Sequence, residues 1–467
     1  MGNSKFKKQK QPKSQFGEIK NETFLFDWIS EYFLKTPQPD SSYLSDKTCN
    51  DLDFEELFMF LDRTNSKIGQ QYLYHQLRNY NEEDNIIEEE EKLIHKIAND
   101  EQFRSLLEKQ LSKLNQTESF YIAKLFQDKP ISTPKLYRLL PYISIISLIS
   151  IISLFFSSTL VFVVPVLIVF NMGIHYKNKN NLAHYISSLP ELLKLLSIAK
   201  SLLDYDSDIF KEEEFKESVS VIEKVKKHFY LFQLENRAQS DVTNLIWGSM
   251  EIIKIILLLE PIMFFKTLNK IKTHQNHIRN LFKSIGRLDM LFSISSLRTG
   301  CANYCLPIFS HPEDGIKATG IYHPLIENCV RNDIDTADKS ILLTGSNMSG
   351  KTTFIRTLGI NVITAMSLNT CFAEGIHLPK MRLMSAIRIS DDLMDEKSYY
   401  FEEVTTIKEM IACSESNYFH LFLLDEIFKG TNTVERISAG KAVLSYLARN
   451  NNLVFVSTHD IELADLL

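Results

Sequence analysis

Between an apolar run, Ser340-Ile341-Leu342-Leu343-Thr344, and a helical stretch from Lys351 to about Leu368 lies the segment Gly345-Ser346-Asn347-Met348-Ser349-Gly350-Lys351-Thr352. No other feature restricts the fold as strongly. A strand feeding a glycine-containing turn that opens a helix is the P-loop arrangement, in which backbone N–H groups close around phosphate oxygens. There Lys351 reaches the β- and γ-phosphates and the Thr352 hydroxyl sits on Mg²⁺. The pattern predicts an α/β unit whose ligand lies at the carboxyl ends of mostly parallel strands.

Two further apolar runs extend this unit. Leu421-Phe422-Leu423-Leu424 suits a buried parallel strand and ends in Asp425-Glu426. An Asp at such a strand end can hold Mg²⁺, directly or through water, and the following Glu can orient or deprotonate an attacking water. Leu453-Val454-Phe455-Val456-Ser457 ends in Thr458-His459-Asp460, which offers His459 as a contact to the γ-phosphate. Each polar strand end alone is an ordinary solvated terminus. Together with the P-loop, in this order, they predict a nucleotide-hydrolysing site.

The sequence resembles the MutS family of ATPases. The match runs through Leu343 to Thr353, Asp391-Asp392-Leu393, Ser398-Tyr399-Tyr400-Phe401-Glu402-Glu403, Leu424 to Thr433, and Ser457-Thr458-His459. The Asn-Met inside the P-loop and Gly430-Thr431-Asn432-Thr433 after Asp-Glu are far more specific than a bare P-loop. A weaker likeness to the family's helical core covers Asp51 to Asp62-Arg63-Thr64 and Gly69 to Leu73, and Leu288 to Ser293 is similar to the end of its lever. The resemblance implies an ABC-type ATPase associated with mismatched or structured DNA. It also implies a homodimer through the ATPase domain, with ATP as the nucleotide. It extends the phosphate cradle to Thr353 and implies that Ser398 faces the partner subunit's γ-phosphate. The neighbouring Tyr399-Tyr400 differ from the usual pattern, and Cys329, Val330 and Arg331 stand where the family often stacks an aromatic on adenine.

Three departures shape the remaining expectations. About 50 residues precede Asp51, so the family's mismatch-reading and connector domains are expected to be absent. The chain ends soon after His459, where the family continues with a strand and a dimerisation segment; a short protein and a truncated frame both fit. Finally, residues 139–174 hold no Asp, Glu, Lys, Arg or His. A membrane span needs roughly 20 apolar residues, so this run predicts a transmembrane helical hairpin turning near Phe156-Ser157-Ser158. A helical hairpin buried in the protein core is the competing reading. Lys135 and Arg138 before the run, and Lys177 and Lys179 after it, predict both ends and the ATPase domain on the cytoplasmic side of a cytoplasmic membrane.

Composition completes the reading. Only 15 Gly and 13 Pro in 467 residues favour helices. A net charge of −6 carries no global nucleic-acid signature. Six scattered cysteines argue against a structural zinc site. Lys5, Lys7, Lys8, Lys10 and Lys13 form a basic arm with no apolar run behind it, so it is not a secretory signal. The expected fold class is α + α/β, with a basic tail over 1–22 and a helical core region over 23–138. The transmembrane hairpin over 139–174 and a helical lever region over 175–310 follow. An ABC-type P-loop ATPase domain occupies 311–467. A transport-type ABC ATPase and a non-catalytic truncated membrane scaffold are the alternatives. No Leu-Ser-Gly-Gly-Gln signature precedes Asp425, which disfavours the transport reading.

Overall fold

In the computed structural model, the residues described are 16–37, 43–79, 84–128, 138–153, 156, 162–206, 209–210, 213–226, 252–337, 339–346, 349–387, 399–428, 431–449 and 452–467. The basic arm, Asn347, Met348, the segment from Asp391 to Ser398, and Lys429-Gly430 lie outside them.

Among the described residues, short helices α1 (Phe26–Ile29), α2 (Glu31–Lys35), α3 (Asp46–Asp51) and α4 (Phe54–Leu61) lead into α5 (Lys67–Arg78), α6 (Asp84–Asn99), α7 (Glu101–Leu111) and α8 (Lys124–Gln127). Then come α9 (Leu140–Ser153), α10 (Val163–Tyr205), α11 (Glu213–Val225), α12 (Leu259–Thr273) and α13 (Gln275–Gly300). The spine of this part is α13, 26 residues long and so about 39 Å. Ile278, Leu281, Phe282, Ile285, Leu288 and Phe292 recur along it at three- and four-residue steps and are buried, the stripe a core-facing helix needs. Asp289 on this helix organises the start of α5. Its carboxylate accepts from the backbone N–H of Asn65 and of Ser66, each at 2.8 Å. The Ser66 side chain in turn accepts from Gly69 N at 2.9 Å, capping α5.

Strands β1 (Ile308–Ser310), β2 (Lys317–Ile321), β3 (Asn332–Asp335) and β5 (Gly375–Pro379) form one four-stranded sheet in the order β1-β5-β2-β3. Its β1–β5 pair is parallel and its other pairs are antiparallel. A second sheet, β4 (Ile341–Thr344), β8 (Leu453–Thr458), β7 (His420–Asp425) and β6 (Arg382–Ala386), is parallel throughout. Alternation along its inner strands divides the core. Leu421, Leu423, Leu453 and Phe455 join the main core, whereas Phe422, Leu424, Val454 and Val456 face a smaller cluster. That cluster also takes residues from α15 (Tyr399–Ser414) and α16 (Thr433–Leu447); α17 (Glu462–Leu466) follows β8.

Helix α14 (Lys351–Leu368) is buried on every side from Thr357 onward. Its buried hydroxyls on Thr357, Thr364 and Ser367 donate to carbonyls one turn back, so it can run enclosed between the parallel sheet and the N-terminal helices. At Gly359 a Cβ would lie 2.8 Å from Leu423 Cδ1 and 3.0 Å from Leu52, so the close approach needs glycine. Polar contacts tie the same parts together. Asp51, fully buried, accepts from Ser385 Oγ at 2.6 Å and from Ile387 N at 3.0 Å. Arg356 pairs with Asp53 at 3.1 Å.

The expected fold class and location need correction. No helix among the described residues is long and apolar enough to cross a membrane. The predicted hairpin over 139–174, the membrane as a partner, and the placement of the chain in the cytoplasmic membrane lose their support. The physical reason is continuity. Helix α9 has 14 residues, a rise of about 21 Å against a hydrocarbon core of about 30 Å. The second apolar stretch is only the start of α10, a 43-residue helix that runs on through Lys177 and Lys179 to the buried Leu189, Leu192, Leu196 and Leu202. The helices are also joined by buried polar contacts. Asn171 Nδ2 donates to Ser147 Oγ and to the Ile256 carbonyl, both at 2.9 Å. His175 Nε2 lies 3.3 Å from Glu260 on α12. Ser157 and Ser158, where the hairpin was expected to turn, lie outside the described residues. The expectation of one mostly parallel sheet is incomplete too, since a mixed sheet accompanies it. Its strands are short and carry exposed polar residues, as in Asn332-Asp333-Ile334-Asp335, so they send no strong hydrophobic signal.

Candidate functional site

The parallel sheet sets the geometry. Thr344 at the end of β4 pairs with Thr458 on β8, and Ser457 on β8 pairs with Asp425 on β7. Three strands therefore finish side by side. The residues that follow them, Gly345, Glu426 and His459, come together although they are far apart in sequence.

The loop after β4 needs two unusual backbone conformations, φ 153° at Gly345 and φ 87° at Gly350. Both are disfavoured for side-chain-bearing residues, which accounts for the two glycines. Gly350 is the N-cap of α14, so the loop delivers the helix N-terminus and its unpaired N–H groups to the ends of the strands. Lys351 Nζ folds back and donates to the carbonyls of Gly345 at 2.8 Å and Ser346 at 3.0 Å. The ammonium thus spans the loop it follows. Ser349 is exposed beside it, and Thr353 lies one step further into the first turn of α14.

Thr352 Oγ1 donates to Asp425 Oδ2 at 2.7 Å. Ser457 Oγ donates to the other oxygen, Asp425 Oδ1. One hydroxyl and one carboxylate, both hard oxygen donors, therefore converge beside the loop. That set suits Mg²⁺, which takes few protein oxygens and completes its shell with water and phosphate.

After β7 the chain turns sharply. Glu426 and Phe428 adopt φ 51° and φ 59°, left-handed conformations that cost side-chain-bearing residues about 1–3 kcal/mol each. The turn is held from two sides: Glu426 N donates to the Ser457 carbonyl at 2.8 Å, and Phe428 N donates to the carboxylate of the buried Glu403. The outcome is that Glu426 Oε1 stands 2.8 Å from His459 Nε2. Beyond it, Arg436 grips Asp460 through a bidentate pair at 2.6 and 2.7 Å. Hydrogen bonds from that guanidinium hold the Asp460 carboxyl below its usual range. Asn432 caps α16 by accepting from Glu435 N at 3.0 Å.

Of the residues singled out in the sequence, Gly345, Ser346, Ser349, Gly350, Lys351, Thr352, Thr353, Asp425, Glu426 and His459 gather at this corner. Asn347, Met348 and Ser398 fall outside the described residues. Sequence reasoning missed the donation of Ser457 to Asp425 and the support of Glu403 under the turn. The first becomes legible only when the register of β7 and β8 is known. The second joins residues from two elements whose packing no local pattern announces.

Comparison with known proteins bears on the segment that carries this corner. Residues 341–467 match the family model of MutS domain V. The DNA mismatch repair protein MutS of Thermotoga sp. (strain RQ2) is 30% identical over 215 residues, which is 44% of this chain and 26% of that protein. The protein of the same name from Petrotoga mobilis is 32% identical over 226 residues, 46% of this chain and 27% of that protein. That from Exiguobacterium sp. is 30% identical over 219 residues, 44% and 25% respectively. The matched part of the chain spans about a quarter of the length of these relatives. The similarity is to the MutS family, and within the family model it is carried by residues 341–467.

Proposed function

We propose that this chain is a MutS-like ATPase that binds mismatched or structured DNA and works as a homodimer through its P-loop unit. The observation that carries the reading is the convergence of Lys351, the Thr352–Asp425–Ser457 cluster and the Glu426–His459 pair at the ends of adjacent parallel strands. The family match over 341–467 supports the choice of ATP and of DNA.

In this mechanism the backbone of residues 345–350, with Thr353 behind it, cradles the phosphates. Lys351 exchanges the Gly345 and Ser346 carbonyls for β- and γ-phosphate oxygens. Thr352 and Asp425 would hold Mg²⁺, which would supply neutralisation of the phosphate charge. Ser457 keeps Asp425 oriented. Glu426, aimed by its left-handed turn, orients the attacking water and takes its proton. His459 contacts the γ-phosphate oxygens and reports on their loss through Glu426. The family resemblance assigns Asn347 and Met348 to the phosphate-binding set and Ser398 to the γ-phosphate of the partner subunit. Closure of that dimer moves the helices joined to α14, and hydrolysis releases them.

The test is steady-state hydrolysis together with DNA binding at stated salt. Lys351→Ala and Glu426→Ala are expected to abolish turnover, a loss of at least about a hundredfold for a positioned acid–base or charge-stabilising group. Binding to perfect, mismatched and branched duplexes is expected to respond to ATP in the unaltered chain and not in Lys351→Ala. Retained turnover in both variants would overturn the site. ATP-insensitive binding to every duplex would overturn the DNA clamp.

A further inference from the structure

Outside the nucleotide corner, the chain places two thiols face to face. Cys305 lies between the end of α13 at Gly300 and β1, and Cys371 follows the C-terminal end of α14. They form an isolated antiparallel bridge. Cys305 N donates to the Cys371 carbonyl, and Cys371 N donates to the Cys305 carbonyl, each at 2.9 Å. Directly opposed residues that exchange both hydrogen bonds have Cα atoms about 5.5 Å apart, which is the usual separation across a disulfide. Neither cysteine is joined in a disulfide in this structure.

The two sulfurs are not equivalent. Cys371 is fully buried, its Sγ directed 3.8 Å from the Asn361 carbonyl. Cys305 is half-buried, between the exposed Tyr304 and Leu306. A hydrogen bond from Cys371 and the backbone N–H groups of Ala373 and Ile376 favour its thiolate and draw its thiol below the ordinary cysteine range. Burial pushes the thiols of Cys49, Cys301, Cys371 and Cys413 the other way. The thiolate is the reactive form.

We propose that Cys305 and Cys371 are a peroxide-responsive dithiol, with Cys305 as the attacking thiol and Cys371 as the resolving one. The Cys305 thiolate attacks one oxygen of hydrogen peroxide. The O–O bond breaks, and the departing hydroxide takes up the proton that the thiol gave up, leaving as water. Cys305 is then a sulfenic acid. The Cys371 sulfur attacks it, the S–O bond breaks, and the Cys371 proton leaves with the hydroxyl as a second water. The dithiol loses two electrons, and one peroxide becomes two waters. The disulfide staples the segment leaving α13 to the segment leaving α14. A thiol reductant reverses it. None of this depends on the nucleotide reading.

The test uses the full, reduced chain in its folded state, treated with dilute hydrogen peroxide, quenched by alkylation and mapped by mass spectrometry after proteolysis. A Cys305–Cys371 linked peptide is expected to dominate over every other oxidised cysteine, to vanish with dithiothreitol, and to lose its dominance when the chain is unfolded in urea first. In Cys371→Ser, a dimedone adduct is expected on Cys305. Absence of the linked peptide from the folded unaltered chain would overturn the pair, as would oxidation spread evenly over the six cysteines. A sulfenic acid trapped on Cys371 in Cys305→Ser at the same rate would overturn the assigned order.

Discussion

Arg298, on the last turn of α13, is the most heavily used side chain at the joint between the helical part and the P-loop helix. Its guanidinium grips Glu91 on α6 through two bonds of 2.7 Å. It also donates to Thr370 Oγ1 at 3.0 Å and to the Asn369 carbonyl at 2.9 Å, just past the end of α14. Asn369 itself sits at φ 49° and donates to Glu91 Oε1 at 2.9 Å. In Arg298→Ala the Glu91 carboxylate keeps only that amide, and the Asn369 carbonyl loses its guanidinium donor. Removing one partner of a buried ion pair costs about 3–5 kcal/mol. Because 17% of the Glu91 side chain remains exposed and water can reach part of it, the low end, about 3 kcal/mol, is expected. Arg298→Lys keeps the charge but not the fork, and should lose about 1–2 kcal/mol. The assay is urea denaturation of both variants, of Glu91→Gln and of the Arg298→Ala/Glu91→Gln pair. The double variant should be more stable than the sum of the single losses predicts, by about 1–3 kcal/mol. The deficit also has a pH signature. Burial pushes the Glu91 carboxyl up, but the bonds and charge of Arg298, with the Asn369 amide, outweigh it and hold the group below its ordinary value of 4.5. Stability from this pair is therefore complete above 4.5 and disappears as pH falls through the lower, folded value. The gap between the unaltered chain and Arg298→Ala should close in strong acid. A loss under about 1 kcal/mol at neutral pH, or strict additivity with Glu91→Gln, would refute the clamp.

Other consequences follow from Asp289 and its surroundings. A Cβ on Gly69 would stand 2.2 Å from Asp289 Oδ2, so Gly69→Ala should cost about 1–3 kcal/mol by overpacking, and a change within about 0.5 kcal/mol of zero in the denaturation midpoint would contradict the geometry. Burial pushes the Asp289 carboxyl from 3.8 up to about 6, against the pull of its donors from Asn65 and Ser66. An acid raised in this way contributes stability that is complete below 3.8 and lost as pH rises through about 6, a change of about 3 kcal/mol at about 1.4 kcal/mol per unit. Asp289→Asn should flatten stability across that window, and an unchanged slope in a series of denaturation curves would count against the assignment.

The local part of the site was legible before any fold was known. The P-loop glycines are tied to positive backbone angles, the apolar runs of β7 and β8 to parallel strands, and Asp425, Glu426 and His459 to strand ends, because each depends on neighbours within a few residues. Tertiary structure decided everything that depends on continuity or pairing. Residues 139–174 contain no charge, yet among the described residues the first apolar helix covers Leu140–Ser153, and the next apolar stretch opens a far longer helix whose later turns lie in the core. Hydropathy counts apolar residues and does not register that a helix continues past them into the core. The orientation of Asp425 by Ser457 depends on strand register, the support of Glu426 and Phe428 on Glu403 from another helix, and the grip on α14 on Arg298 and Glu91, which are far apart in sequence. The opposed thiols of Cys305 and Cys371 belong to the same class. In the sequence they are two cysteines among six scattered ones, and only the antiparallel bridge between the segments leaving α13 and α14 brings them within bonding reach.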